Sequence, residues 1–261
     1  MERIVKELRK NTLLLSHKCK DGNLQSAFSC LDILWVLYSE VMNWNVEKAD
    51  ADDRDIFIIS KGQATLALYS IFIEKGLFSL EEIAGEIGEF HSRYCNQVDV
   101  TKYKGGIENS AGSLGHGLPY AVGIAMANKL KNIDSKTFVL CGDGEFMEGT
   151  MWESCLLASS HKLDNLCVII DDNDSVSAMI DMGSIKRKLE AFDFDVYEVN
   201  GHDLNAISNA FKYERQKKPI AIIAKTIRGY GSTTMTENDV WFHKAPNEEE
   251  LLLLYKEVDE F

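Results

Sequence analysis

Five short runs of apolar, largely β-branched residues recur along the 261-residue chain: Ile56–Ser60, Thr137–Cys141, Leu166–Asp171, Asp195–Val199 and Ile220–Ala224. Their nearly continuous apolar character suits strands covered on both faces, as in a parallel sheet. Helical patterns separate them. One covers Leu31 to Met42, with Ser29 as its expected N-cap. Another starts at Ser79, with Glu82 placed to close a capping box. Others run from about Leu118 to Lys131, Thr150 to His161, Leu204 to Lys217 and Glu248 to Val258. Strands alternating with helices predict an α/β fold, a doubly wound, mainly parallel sheet with helices on both faces. Ligands in such sheets bind at the carboxyl ends of the strands, near a switch in strand order. With three prolines and no low-complexity stretch, residues 1–261 read as one domain.

Two of those strand ends carry the chemistry. Phe138–Cys141 runs straight into Gly142-Asp143-Gly144-Glu145. Glycines flanking an acid let the backbone come close to a ligand and aim its N–H groups there. A carboxylate beside a diphosphate is repulsive unless a divalent cation lies between them. Mg²⁺ suits that position, being hard, octahedral and usually held by one or two carboxylates plus phosphate oxygens. The next strand ends in Asp171-Asp172-Asn173-Asp174-Ser175, and Asn173 follows Asp143 by 30 residues (173 − 143 = 30). A strand end, a helix and a strand fill that interval, so both loops are expected at one sheet edge. The amide oxygen of Asn173 completes a metal site without adding negative charge.

Asp plus Glu is 41 against 28 Lys plus Arg, a formal charge of −13. That excess repels phosphate backbones at long range and argues against nucleic-acid binding. It leaves room for a small phosphorylated ligand on a locally positive or amide-lined site. No uncharged apolar run approaches the roughly 18 residues of a membrane span. Residues 1–10 form an amphipathic helical pattern without the apolar core of a signal peptide. The cysteines Cys19, Cys30, Cys95, Cys141, Cys155 and Cys167 are scattered and form no C-x-x-C pair, so reduced structural thiols in a cytoplasmic protein are expected.

Gly-Asp-Gly followed about thirty residues later by Asn resembles the thiamine diphosphate signature, and Gly142-Asp-Gly-Glu-Phe-Met-Glu-Gly149 with Ile170-Asp-Asp-Asn173 is similar to transketolase in particular. The likeness extends along the chain. It includes Arg54-Asp-Ile-Phe-Ile-Ile-Ser-Lys-Gly62, Gly112-Ser-Leu-Gly-His-Gly-Leu118, Ala224-Lys-Thr-Ile-Arg-Gly-Tyr-Gly231 and Trp241-Phe-His-Lys-Ala-Pro-Asn247. The resemblance implies thiamine diphosphate and Mg²⁺ as cofactors. It implies Asp143, the Asn173 side chain and the Ser175 carbonyl as metal ligands. Gly112, Leu114, Gly142 and the Gly144 backbone are implied at the cofactor. Glu148 corresponds to a family glutamate whose hydrogen-bond network crosses the subunit interface toward the partner domain's catalytic glutamate.

A full transketolase carries a pyrimidine domain and a C-terminal domain after this one. The expectation is therefore the diphosphate-binding subunit of a split enzyme, completed by a C-terminal transketolase-like chain in an α2β2 assembly. Several family histidines are replaced. Asn23 stands for the histidine of Gly-His-x-Gly, Gln63 for that of Ser-Lys-Gly-His, and Gln97-Val-Asp99 for Gly-His-Pro. Trp241-Phe242-His243 sets His243 one place beyond its Trp-His counterpart. Amides still bond a phosphate or carbonyl but do not titrate near neutral pH. The expected activity is transfer of a two-carbon ketol unit from a ketose-type donor to an aldehyde, with non-standard substrates. The alternatives are a thiamine-dependent 2-oxo acid decarboxylase or carboligase, and a non-catalytic cofactor-binding homologue.

Overall fold

The computed structural model describes residues 2–103, 105–175, 180–213 and 216–261. Its strands are β1 (Ile56–Ile59), β2 (Thr137–Gly142), β3 (Leu166–Asp172), β4 (Asp195–Asn200) and β5 (Ile220–Lys225). They form a five-stranded sheet in the order β1-β2-β3-β5-β4, every neighbouring pair parallel. Each predicted strand is found to within a residue. The helices are α1 (Glu2–Cys19), α2 (Leu24–Val36), α3 (Thr65–Glu74), α4 (Leu80–Glu86), α5 (Gly117–Leu130), α6 (Gly149–Ser160), α7 (Ile185–Ala191), α8 (Leu204–Ala210), α9 (Thr233–Thr236) and α10 (Glu248–Glu260).

The pleat sorts the strand side chains between two cores. Phe57, Ile59, Phe138, Leu140 and Ile169 face Leu8, Leu31, Leu34, Leu68 and Ile207 of α1, α2, α3 and α8. Ile58, Val139, Val168, Ile170 and Ile223 face Leu118, Val122, Met151, Cys155 and Leu189 of α5, α6 and α7. Helices therefore cover both faces of β1, β2, β3 and β5, which is why these strands lack polar alternation, while β4 at the sheet edge is partly exposed. Burial drives the thiols of Cys30, Cys155 and Cys167 up to about 12, as expected of packing residues. Among the described residues no helix is long and apolar enough to cross a membrane.

Two helix boundaries and one helix cap differ from the sequence reading. The helix expected to start behind Ser29 begins at Leu24, after Asn23 in the left-handed conformation (φ 64°), and continues through a π-helical turn over Leu37–Val41. Gln25, Ser26 and Ser29 look like loop residues, yet all are buried and bonded inside the fold, the Gln25 amide donating to Met235 O at 2.6 Å. Ser79 does occupy an N-cap, but no side chain caps α4, and Glu82 pairs with Arg93 instead. The helix from Leu204 stops at Ala210. Its expected continuation to Lys217 crosses positions 214 and 215, which lie outside the described residues.

Candidate functional site

Register places Gly142 opposite Asp171, so the loops leaving β2 and β3 start side by side. Asp143 is buried there. Its Oδ1 accepts the Gly144 N–H at 2.9 Å and the Ser175 hydroxyl at 2.6 Å, and its Oδ2 accepts the Ser175 N–H at 2.9 Å. Burial raises its pKa above the ordinary carboxylate value, against the pull of those bonds and of the nearby Lys61 charge. The Gly144 N–H, expected to face a phosphate, here braces the Asp143 carboxylate.

Asn173 is buried across the junction. Its amide nitrogen lies 3.3 Å from Ser29 Oγ and 3.4 Å from Asp171 Oδ2. Its Oδ1 is buried without a hydrogen-bond partner among the described residues. A buried amide oxygen left unpaired costs about 1–3 kcal/mol unless something else meets it. An Asp carboxylate and an uncommitted amide oxygen, gathered by two adjacent loops, are the oxygen donors a hard cation takes. No group of three His, Cys, Asp or Glu that could hold a metal ion occurs among the described residues, so any cation here would rest on amide and carbonyl oxygens besides Asp143. The donor set therefore fits Mg²⁺. A cavity of about 300 Å³ adjoins Asp143, with Asp174, Lys186 and Lys225 on its walls.

The floor of this edge is a buried ion pair the sequence reading did not assign. Lys61, from the Ser-Lys-Gly segment after β1, pairs with the fully buried Asp171. Its ammonium also donates to Ser26 O at 3.0 Å and Ser29 Oγ at 3.1 Å. Desolvation works against the charged lysine, but Asp171 more than offsets it and the pKa lies above the usual lysine value.

Glu145 is likewise part of the motif without an assigned role. It accepts the hydroxyl of Ser60, the Gly115 N–H at 2.9 Å and, through its other oxygen, the Gly142 N–H at 2.9 Å. One carboxylate thus ties β1, β2 and the Gly112–Gly117 loop together, and burial raises its pKa. The loop must be glycine at Gly115. The residue has φ +77°, and a β-carbon there would lie 2.6 Å from Cβ of Glu148. Gly112, Leu114 and Glu148 themselves are exposed on the outer side of this edge.

Some of the positions expected to stand for family histidines are neighbours in the fold. The Asn23 N–H donates to Phe242 O at 2.9 Å, and a β-carbon at Gly22 would meet the His243 backbone at 2.4 Å. Asn23 and His243, about 220 residues apart in sequence, are therefore neighbours, with the His243 ring exposed. Gln63 is half-buried in the turn Gly62–Ala64 that leads into α3. The Gln97 carboxamide stands over Gly62 and Gly112, 2.9 Å from where a β-carbon on Gly112 would be. The segment that replaces Gly-His-Pro thus reaches the same edge.

A parallel sheet with a Gly-Asp-Gly strand end and an uncommitted Asn amide opposite is the architecture of thiamine diphosphate domains. The family description "Transketolase, thiamine diphosphate binding domain" matches residues 1–257, and the chain belongs to that family. It is 35% identical over 259 residues to one of the subunits of apulose-4-phosphate transketolase from Phocaeicola vulgatus, covering 97% of this chain and 91% of that one. It is 32% identical over 266 residues to the subunit of the same name from Actinobacillus succinogenes, covering 99% and 95%. Transketolase from Campylobacter jejuni superposes with a TM-score of 0.88 at 32% identity, over 99% of this chain but 43% of that one. The chain thus spans under half the length of that solved transketolase and nearly the full length of the two apulose-4-phosphate transketolase subunits. These relatives agree with the expectation of an N-terminal, transferase-type subunit.

Proposed function

We propose that this chain is the cofactor-diphosphate half of a two-chain, Mg²⁺-dependent transketolase-type enzyme. The observation that carries the reading is the junction of the β2 and β3 loops, where Ser175 of the β3 loop holds the Asp143 carboxylate and the buried Oδ1 of Asn173, two residues before it, is left without a partner. Asp143, Asn173 and the Ser175 carbonyl would hold the cation, which in turn holds the diphosphate. When bound, thiamine diphosphate supplies the nucleophilic carbon and the electron sink for C–C cleavage.

The chain's own residues bind, orient and exclude. Glu145 fixes the Gly112–Gly117 loop, so that Leu114 stands at the mouth of the edge as an apolar cover. Asn23, Gln63 and Gln97 offer neutral hydrogen bonds where titrating groups would move protons, leaving His243 as the nearby exposed imidazole. Amides hold hydroxyls and phosphate oxygens without exchanging protons near neutral pH. A second exposed imidazole, His116, stands in the Gly112–Gly117 loop, its Nδ1 3.0 Å from Leu114 O. The two-carbon transfer then uses a donor whose proton movements fall to His116, His243 and the partner chain. The two relatives named for apulose 4-phosphate make that compound the first donor to test.

The partner is a chain carrying a pyrimidine domain. Glu148 is exposed next to Leu114, 38% exposed, and Met147, 38% exposed, while Tyr120, Leu156 and Leu157 of α5 and α6 are 49%, 59% and 43% exposed. That many large apolar side chains around one rim favour a covering protein surface. An α2β2 assembly follows if the two half-sites obey twofold symmetry. The test is reconstitution: this chain with a pyrimidine-domain chain, Mg²⁺ and thiamine diphosphate should transfer a ketol unit from apulose 4-phosphate to an aldehyde. Release of CO₂ from a 2-oxo acid instead would favour the decarboxylase reading that the missing histidines permit.

A further inference from the structure

The hydrogen bonds around Asn173 leave acceptors facing its amide. Lys61 has three N–H donors, and three acceptors meet them: Asp171 Oδ2, Ser26 O and Ser29 Oγ. The Ser29 hydroxyl sends its own proton toward Asp171 Oδ2 at 2.5 Å, with Ser26 O at 2.9 Å as the alternative. Thr226 donates its hydroxyl proton to the other oxygen, Asp171 Oδ1. What Ser29 Oγ and Asp171 Oδ2 have left to offer is lone pairs. A carboxylate is acceptor-only, and a serine hydroxyl whose proton is committed behaves likewise.

An asparagine amide facing two acceptors must present its NH₂ to them. Its oxygen is then turned away, which matches the unpaired Oδ1. The opposite rotamer would set Oδ1 against the Asp171 carboxylate with no proton between them, an arrangement that desolvation makes worse.

We infer that Asp171, locked by Lys61, Ser29 and Thr226, is a positioning residue that fixes which end of the Asn173 carboxamide faces the cation. The inference rests on the proposed metal site. Asp171 touches no ligand. It acts by being an acceptor wall that admits only a donor, so the amide is oriented before the metal arrives. Pre-orientation removes a two-way rotamer choice and a buried reorganisation from the binding step. It also gives a use to the fully buried Lys61–Asp171 pair beneath the edge, which holds the acceptor oxygen in place opposite the Asn173 amide.

The test exchanges charge across the wall, with Mn²⁺ binding in the presence of thiamine diphosphate read by electron paramagnetic resonance. The chain is used together with a pyrimidine-domain partner, and wild type must bind first; if it does not, the metal-site reading fails and the inference fails with it. Asn173→Asp adds a negative ligand and would on charge alone tighten Mn²⁺. Its carboxylate would face Asp171 instead, so binding should weaken by about tenfold or more, as expected of two carboxylates sharing a site. Asp171→Asn combined with Asn173→Asp restores a donor opposite an acceptor and should recover most of the loss. Wild-type or tighter binding by Asn173→Asp alone, or no recovery in a folded double variant, overturns the inference. If Asn173→Asp does not fold, Ser29→Ala removes one of the two acceptors. It should weaken Mn²⁺ several-fold, and unchanged affinity would overturn the inference equally.

Discussion

Ser175 holds Asp143 twice, its backbone N–H 2.9 Å from Oδ2 and its hydroxyl 2.6 Å from Oδ1, and so closes the β3 loop onto the β2 loop. Both bonds favour the charged carboxylate against a burial that disfavours it. Ser175→Ala removes one of them, so the pKa of Asp143 should rise further. Metal and proton compete for the same oxygens, and the variant should lose Mg²⁺-dependent binding at a higher pH than wild type while differing least in mildly alkaline buffer. Titrations of metal affinity from acid to mildly alkaline pH, for wild type and variant side by side, check this.

The same carboxyl sets a pH dependence of stability. Asp143 has a folded pKa above its unfolded value, so between the two the folded state carries the extra proton. Its contribution to stability is greatest below the unfolded pKa of about 4 and falls as pH rises through the folded pKa. In metal-free protein, wild type minus Asp143→Ala stability should therefore decline from acid toward neutral pH. Excess Mg²⁺ with thiamine diphosphate should reverse the decline for wild type alone. Thermal melts of both proteins over that range provide the comparison.

Glu145→Gln looks conservative and should not be. Both oxygens of Glu145 accept N–H or O–H donors, so a glutamine must turn its NH₂ toward at least one N–H. An unmatched buried donor costs about 1–3 kcal/mol, and the melting temperature should fall by several degrees, about 2–4 °C per kcal/mol at this size. Faster amide exchange at Gly115 and Gly142 would mark the loosened loop.

The ion pair beneath the site makes an asymmetric prediction. Lys61→Met leaves the fully buried Asp171 uncompensated and should cost about 3–5 kcal/mol, whereas Lys61→Met with Asp171→Leu should be far milder. Urea unfolding separates the two. The double variant should nevertheless bind the metal less well, because of the two acceptors that orient Asn173 only Ser29 then remains.

A second buried cluster stands apart from the cofactor edge. Asp32 accepts from Arg9 at 2.7 Å and meets His202 Nδ1 at 2.8 Å, while His202 Nε2 lies 2.8 Å from the Ile227 N–H. The ring accepts at Nε2 and donates at Nδ1, so it bridges Asp32 to the Ile227 backbone. His202→Ala should destabilise the protein by about 1–3 kcal/mol and speed amide exchange over Ile227–Gly231, the loop that follows β5.

The strands were legible, and the candidate metal ligands stood out, because their signals are local. A buried parallel strand is written as an unbroken apolar run, and Gly-Asp-Gly and Asn at a strand's end need no distant partner to be noticed. The start of α2 was not legible. Gln25, Ser26 and Ser29 are polar, and only tertiary contacts with Met235, Lys61 and Asp171 explain their burial in a helix. Lys61, Glu145 and Asp171 were missed as working residues for the same reason. Each lies inside a motif, but their partners come from other strands and helices, and no spacing rule brings Lys61 and Asp171, 110 residues apart, together.

The most direct test of the central claim is calorimetric titration of thiamine diphosphate into the chain with its pyrimidine-domain partner, in Mg²⁺ and then in chelator, for wild type and Asp143→Ala. The account predicts saturable binding by wild type in Mg²⁺, lost with the chelator and absent in the variant under both conditions. Binding that persists in chelator, or undiminished binding by Asp143→Ala, would contradict the assignment of the β2–β3 junction as the metal and diphosphate site.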